Sequence, residues 1–286
     1  MPEPKQYYSR LRNKTAIITG GGSLQDGDHI GTGAAMSIWF AREGANICIV
    51  DLNLERGQRT ERRISAAGGR AIVVAADITS ADGCRKAVDA TIKAFGGVNI
   101  LVNNVGANSP NAGWVGGGKI DTHPEDVWRS LLDLNLTSAF LMSKAAIAEL
   151  IKGETSAIVN IASIAGMQAT GATAYGCAKA ALIAFTHDLA LAYGRQGLRA
   201  NVVSPGHLYS PQVSEIVDDA GRARRRNITP LGIEGDAWDV AATALFLASD
   251  EARYLTSLSI PVDGGVTQVA PLAALQEFLK HESAGG

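Results

Sequence analysis

Tyr175 and Lys179 stand four residues apart in IASIAGMQATGATAYGCAKAAL, a segment whose apolar spacing predicts a helix, so both side chains fall on one helical face. A phenol with a pKa of about 10 is a poor base near neutral pH, but an ammonium beside it favours the phenolate and lowers that value. A phenolate supported in this way would take the proton of an alcohol as its hydride leaves, or return it in the reverse direction. Ser163, twelve residues before Tyr175, carries a hydroxyl able to hold the same substrate oxygen. Asn135, within LNLTS, puts an amide where a buried helix face would favour Leu or Ala. Taken alone, a Tyr and a Lys at this spacing also fit an amphipathic surface helix, so the surrounding elements decide.

Short apolar runs rich in β-branched residues recur at Thr15 to Ile18, Asn46 to Val50, Ala71 to Ala75, Ile100 to Asn103, Ala157 to Ile161, Arg199 to Val203 and Ser259 to Val262, and read as buried parallel strands. Between them, Ile30 to Glu43, Leu54 to Ala67, Ala81 to Phe95, Pro124 to Ile151, Ala172 to Tyr193 and Asp236 to Ser249 show helical spacing. The alternation predicts an α/β, doubly wound parallel sheet with right-handed crossovers. Three irregular stretches, Thr19 to Gly33, Gly106 to Lys119 and Tyr209 to Gly235, each follow a strand at its carboxyl end, where open sheets of this kind bind ligands. No Pro- or Ser-rich linker and no repeat marks a boundary, so residues 1–286 read as a single domain, with a core at 14–265, an N-terminal extension at 1–13 and a tail at 266–286.

The first irregular stretch, TGGGSLQDGDHIGTG, has glycines that let the backbone approach a pyrophosphate, whose charge the following helix N-terminus would stabilise. Asp51 ends NICIVD twenty positions after Gly31, where a carboxylate would accept hydrogen bonds from a ribose 2′-hydroxyl and repel a 2′-phosphate. Leu52 rather than an arginine follows it, and the glycine stretch holds no Lys or Arg, so the pattern favours NAD over NADP. Asp77, in AADIT, either reaches an adenine amino group or caps the helix beginning near Ser80.

With 286 residues, 46% hydrophobic, and a net charge of -2, the chain has no basic excess to neutralise phosphates, which points away from nucleic acid and anionic membranes and toward a small-molecule partner. Cys48, Cys84 and Cys177 are widely spaced and form no CxxC pair, so they support neither a disulfide framework nor a metal site and read as reduced thiols. The N-terminus lacks the apolar core of a signal peptide and no run of eighteen apolar residues occurs, so the expectation is a soluble, cytoplasmic protein.

Several separated marks stand in order: the turn beginning TGG, NNVG at Asn103 to Gly106, Asn135, Ser163, Tyr175 with Lys179, SPG at Ser204 to Gly206, and VDGG at Val262 to Gly265. On these the sequence resembles the short-chain dehydrogenase/reductase family from about Lys14 to Gly265. The resemblance implies a single-domain Rossmann fold with a seven-stranded parallel sheet and helices on both faces, a homotetramer, and hydride transfer between NAD(P) and an alcohol or carbonyl. It further implies that Ser163 orients the substrate and that Tyr175 is the acid/base, with Lys179 lowering its pKa and binding the nicotinamide ribose. Asn135 would maintain a water-linked proton path. Cofactor contacts carried over from the family fall on Gly20, Gly22, Ile30, Gly31, Asp51, Asp77, Ile78, Asn104, Val105, Gly106, Tyr175, Lys179, Pro205, Gly206, Leu208 and Ser210, with Asn103 near the adenosine ribose and the Ser210 hydroxyl at the nicotinamide carboxamide.

The departures are equally specific. About five extra residues, within LQDGDH, separate the first glycines from Ile30 and Gly31, and His29 stands where a glycine is usual. The expected outcome is an outward bulge, because lengthening a loop is cheap, both glycine-rich ends survive, and Asp26 and Asp28 would be repelled by phosphate if the loop folded inward. Val105, Ala162 and Ser210 replace a usual alanine, serine and threonine without removing a catalytic group.

The expected function is NAD-dependent hydride transfer with a secondary alcohol or ketone, cyclic or polyol substrates included. An NADPH-dependent 3-ketoacyl-type reductase and a non-catalytic dinucleotide-binding protein are the alternatives. Trp114, in the second irregular stretch, either touches substrate or packs down. The run RARRR, Arg222 to Arg226, is either an anion-recognition patch or a solvated helix face, and His207 and Tyr209 are either pocket or structural residues. Leu272, Leu275, Phe278 and Leu279 give the tail an apolar helical face that needs cover from its own domain or a neighbouring subunit.

Overall fold

Seven strands, β1 (Thr15–Thr19), β2 (Asn46–Asp51), β3 (Arg70–Ala75), β4 (Ile100–Asn103), β5 (Ser156–Ile161), β6 (Leu198–Pro205) and β7 (Ser259–Val262), form one sheet in the order β3-β2-β1-β4-β5-β6-β7. The structure is a computed structural model and describes residues 9–27, 29–108, 119–153, 155–270 and 273. All pairings are parallel. The central strands β1, β4 and β5 are buried along their whole length, which explains why their sequences are nearly continuous apolar runs.

Helices α1 (Thr32–Arg42), α2 (Leu54–Ala66), α3 (Ala81–Phe95), α4 (Glu125–Leu132), α5 (Ser138–Leu150), α6 (Thr173–Tyr193), α7 (Pro211–Ser214), α8 (Asp219–Asn227) and α9 (Ala237–Ala248) complete the chain. Two main cores hold the larger ones against the sheet. One joins α1 and α9 to the sheet through Phe40, Ile38, Val240 and Leu245; the other joins α3, α5 and α6 through Val88, Met142, Leu150 and Leu189. Asn53 and Ser80 accept N-terminal amides of α2 and α3, so these helices start where their capping residues stand.

Two elements differ from the sequence expectation. The helix expected over Pro124 to Ile151 is interrupted by a π turn at Asp133–Thr137, a feature of backbone hydrogen bonding that apolar spacing does not reveal. The stretch expected to be irregular after β6 contains α7 and α8; each is short, and α8 is too polar to show an apolar stripe. The continuous helical run Glu125–Leu150 is long and apolar enough to cross a membrane, yet its apolar side chains pack against α3, α6 and the sheet.

Candidate active site

Strand order reverses between β1 and β4, and the crevice opened there lies at the carboxyl ends of both strands. A groove of about 280 Å³ occupies it, lined among others by Gly20, Gly22, Gly31, Asp51, Asp77, Ile78, Asn104, Val105 and Gly106. These nine were all expected at the cofactor. Ile30 behaves differently: its side chain is buried in the α1 core and leaves only its backbone near the groove.

The residues present fit a dinucleotide. Gly31 caps α1 without any side-chain hydrogen bond, and the first turn carries no acidic residue, so the helix N-terminal amides face no competing acceptor or negative charge. Gly33 has to lack a side chain, because a Cβ there would lie 2.0 Å from the Gly20 carbonyl oxygen. Thr32, which the sequence reading passed over, donates from Oγ1 to Asn104 Oδ1 at 2.7 Å, while Asn104 Nδ2 donates to the Thr19 carbonyl at 3.0 Å. The turn after β1 is thereby tied to the turn after β4.

Asp51 ends β2 at the far end of the groove. Its Oδ2 accepts from the Gly22 amide at 3.1 Å and its Oδ1 from the Asn53 amide at 3.0 Å, which fixes the carboxylate while leaving lone pairs for further donors. Arg56, on the first turn of α2, lines the same end and was missed, since it lies outside the glycine stretch and does not directly follow Asp51. Asp77 does not cap α3; Ser80 does. Asp77 instead accepts from the Thr79 amide and hydroxyl, and these bonds hold its carboxyl below the usual range. Asn103 is turned away from the groove, buried and donating to Ser143 and Asn160.

The inserted residues bulge outward at their middle, although Leu24 lines the groove and His29 turns in against Tyr209. Arg59 donates to the Leu24 carbonyl at 2.7 Å and Arg63 to the Gly27 carbonyl at 2.6 Å, so α2 grips the loop from outside, while Gln25 Nε2 closes it onto the His29 carbonyl at 3.1 Å. Asp26 is exposed; Asp28 lies outside the described residues.

At the other end, Tyr175 and Lys179 extend from one face of α6. Lys179 Nζ lies 5.6 Å from the centre of the Tyr175 ring and donates to the Ile161 carbonyl at 2.9 Å. The ammonium is almost wholly enclosed, and burial pulls its pKa down to about 7. Tyr175 shares a hydrogen bond with the Ser163 hydroxyl. Its pKa is raised, because desolvation of the phenolate outweighs that bond; the lowering expected from Lys179 is not realised. Asn135 sits in the π turn, where its Oδ1 accepts from the Ala107 amide and its Nδ2 donates to the Ala107 and Leu131 carbonyls. Gly106 keeps open a space between the two: a Cβ at that position would fall 2.7 Å from both Asn135 Oδ1 and Lys179 Nζ.

The segment after β6 is less directly placed. Gly206 donates to the Val262 carbonyl, Leu208 forms a bridge with Gly235 and packs on the core, Pro205 ends β6, and Ser210 Oγ accepts from Val213 as the cap of α7. None of these four lines the groove described above. The RARRR run is neither a free anion site nor a simple solvated face. Arg222, Arg225 and Arg226 all approach Glu234, whose side chain is only 5% exposed. Burial and a coulombic push from Arg225 lower the pKa of His207, which lines an apolar pocket with Val262 and Thr229. Trp114, Leu272, Leu275, Phe278 and Leu279 lie outside the described residues. Among the described residues no cluster of metal-ligating side chains occurs.

Comparisons with known proteins agree with this geometry. The family model described as Enoyl-(Acyl carrier protein) reductase matches residues 28–267. The 2,5-dichloro-2,5-cyclohexadiene-1,4-diol dehydrogenase of Sphingobium indicum is 38% identical over 90% of this chain and 97% of its own. The 3beta-hydroxysteroid dehydrogenase 1 of Eggerthella lenta is 34% identical over 91% and 96%. A solved 7 alpha-hydroxysteroid dehydrogenase, in complex with NADH and 7-oxo glycochenodeoxycholic acid, superposes with a TM-score of 0.82 at 29% identity, covering 90% of this chain and 95% of that one.

Proposed function

The chain belongs to the short-chain dehydrogenase/reductase family, as an oxidoreductase moving hydride between a nicotinamide dinucleotide and an alcohol or ketone, and we propose that it is an NAD-dependent dehydrogenase of secondary alcohols carried on a ring. The observation that carries the choice of NAD is Asp51, held by two backbone amides at the end of the groove, where it receives ribose hydroxyls and repels a 2′-phosphate. The ring-borne alcohol rests on the relatives, whose names specify a cyclohexadiene diol and hydroxysteroids.

When bound, the nicotinamide supplies the hydride acceptor or donor. The chain's own residues do the rest. Ser163 holds the substrate oxygen beside the Tyr175 hydroxyl, which exchanges the alcohol proton. Lys179, its Nζ beside the Tyr175 ring and donating to the Ile161 carbonyl, is placed where it would meet the nicotinamide ribose. Asn135 fixes the Ala107 backbone and faces Lys179 across the space at Gly106, an arrangement that suits a proton path. The unpaired cysteines suit the reducing cytosol. Exposed Phe140 on α5 and Leu191 on α6 support self-association as a tetramer.

A second reading has one observation in its favour: Arg56 lines the adenosine end of the groove and offers a cation to a 2′-phosphate, as an NADPH-dependent ketoacyl-type reductase would need. Titration of the purified protein with NADH and with NADPH, followed by energy transfer from tryptophan, separates the two. Tight NADH and weak NADPH binding is expected; the reverse order would replace the first reading with the second, and binding of neither would remove both.

A further inference from the structure

His29, the residue standing in place of a glycine, stacks against Tyr209 with ring centres 4.6 Å apart and planes inclined by 32°. Arg222 of α8 lies over the same tyrosine, its guanidinium carbon 3.7 Å from the ring centre, and its Nε donates to Glu234 at 2.9 Å. The Tyr209 amide in turn donates to the Gly235 carbonyl at 2.8 Å, closing the segment 209–235 on itself. The histidine ring is packed against the tyrosine with its Nε2 enclosed and without a hydrogen-bond partner among the described residues.

The stack joins two segments that follow different strands, β1 and β6. On one side, His29 is two residues from Gly31, the cap of α1, and its loop is gripped by Arg59 of α2. On the other side, Tyr209 directly precedes Ser210, which caps α7, and Arg222 anchors α8 to a buried carboxylate. An ordinary glycine at position 29 would leave these two parts unconnected at this point.

We propose that the His29, Tyr209 and Arg222 stack is a positioning clasp through which a dinucleotide seated at the first glycine turn fixes the 209–235 segment. It rests on the dinucleotide-binding reading above. A ligand that orders residues 29–33 restricts the histidine, the histidine restricts the tyrosine ring, and the arginine carries the restriction into α8.

The arginines of the segment provide the readout, since trypsin cleaves after Arg222, Arg224, Arg225 and Arg226 only when α8 opens. Cleavage at these bonds, located by mass spectrometry, is followed with and without NADH, while NADH binding is measured separately by fluorescence. NADH is expected to slow cleavage about tenfold in the wild type and in Tyr209→Phe, which keeps the ring. Tyr209→Leu and His29→Ala should still bind NADH yet show little protection. Equal protection in all four proteins, or no protection in a wild type that binds NADH, would overturn the clasp. Failure of the wild type to bind either NADH or NADPH would instead overturn the dinucleotide reading, and the clasp with it.

Discussion

Lys179 is the more deeply enclosed member of the pair it forms with Tyr175, its Nζ 5.6 Å from the phenol ring centre and bound to the Ile161 carbonyl. Its pKa of about 7 lies well below the ordinary value of about 10.4, so from pH 7 upward the unfolded chain holds the proton more tightly than the folded one. Stability therefore rises with pH across that window, by at most about 1.4 kcal/mol per pH unit, and the buried charge is carried at full cost below it. Lys179→Met removes the titrating group. The melting temperature of the wild type, relative to this variant, should climb between about pH 7 and pH 9. A constant difference would show that Lys179 does not titrate there.

Burial raises the pKa of Tyr175 and its bond to Ser163 opposes the rise. Oxidation of an alcohol needs the phenolate, so kcat/KM for oxidation of a ring alcohol should increase on the alkaline side, while ketone reduction, which needs the phenol, should decline over the same limb. Ser163→Ala should move the limb to higher pH. Tyr175→Phe should lose about 10² to 10⁴ in turnover while still binding dinucleotide. Unchanged turnover would take Tyr175 out of the acid/base role.

Asp51→Ala removes both acceptors offered to the ribose. Hydrogen bonds to a charged group contribute about 1.5–3 kcal/mol, so NADH affinity should fall at least about tenfold. NADPH affinity should rise, the more so because Arg56 is left without the nearby carboxylate. Titrations of both dinucleotides check this, and NADH selectivity as strict as in the wild type would refute the role given to Asp51.

Gly33→Ala places a methyl 2.0 Å from a backbone oxygen of the facing turn. Backbone cannot yield as a flexible side chain does, so the cost should lie at the upper end of the ~1–3 kcal/mol found for overpacked sites. Calorimetry should show a lowered melting temperature together with weakened NADH binding. A variant as stable as the wild type would mean that the turn adapts.

Strand positions and the pairing of Tyr175 with Lys179 on one helical face were legible because their signals are local. Buried strands are apolar runs, and Tyr175 with Lys179 needs only helical spacing to share a face. What escaped depends on three-dimensional proximity. Arg56 becomes a groove residue only because α2 folds back along the first glycine turn. The arginines of α8 looked free because Glu234, their partner, is eight or more residues further along the chain. The direction of the Tyr175 shift was missed because the sequence supplies the neighbouring charge but not the depth of burial.

The π turn at Asp133–Thr137 acts as a phase shifter. An α-helix advances about 100° per residue, so the one extra residue of a wider turn rotates everything after it by roughly that angle. Before the turn, α4 faces α6; after it, α5 sends Met142, Ala146 and Leu150 toward the sheet and α3. One continuous rod thus serves two walls at different angles, with Asn135 at the step between them. Removing a single residue there would leave α4 in place and swing the buried face of α5 off the sheet, so the length of this short turn is as constrained as the identity of the asparagine it carries.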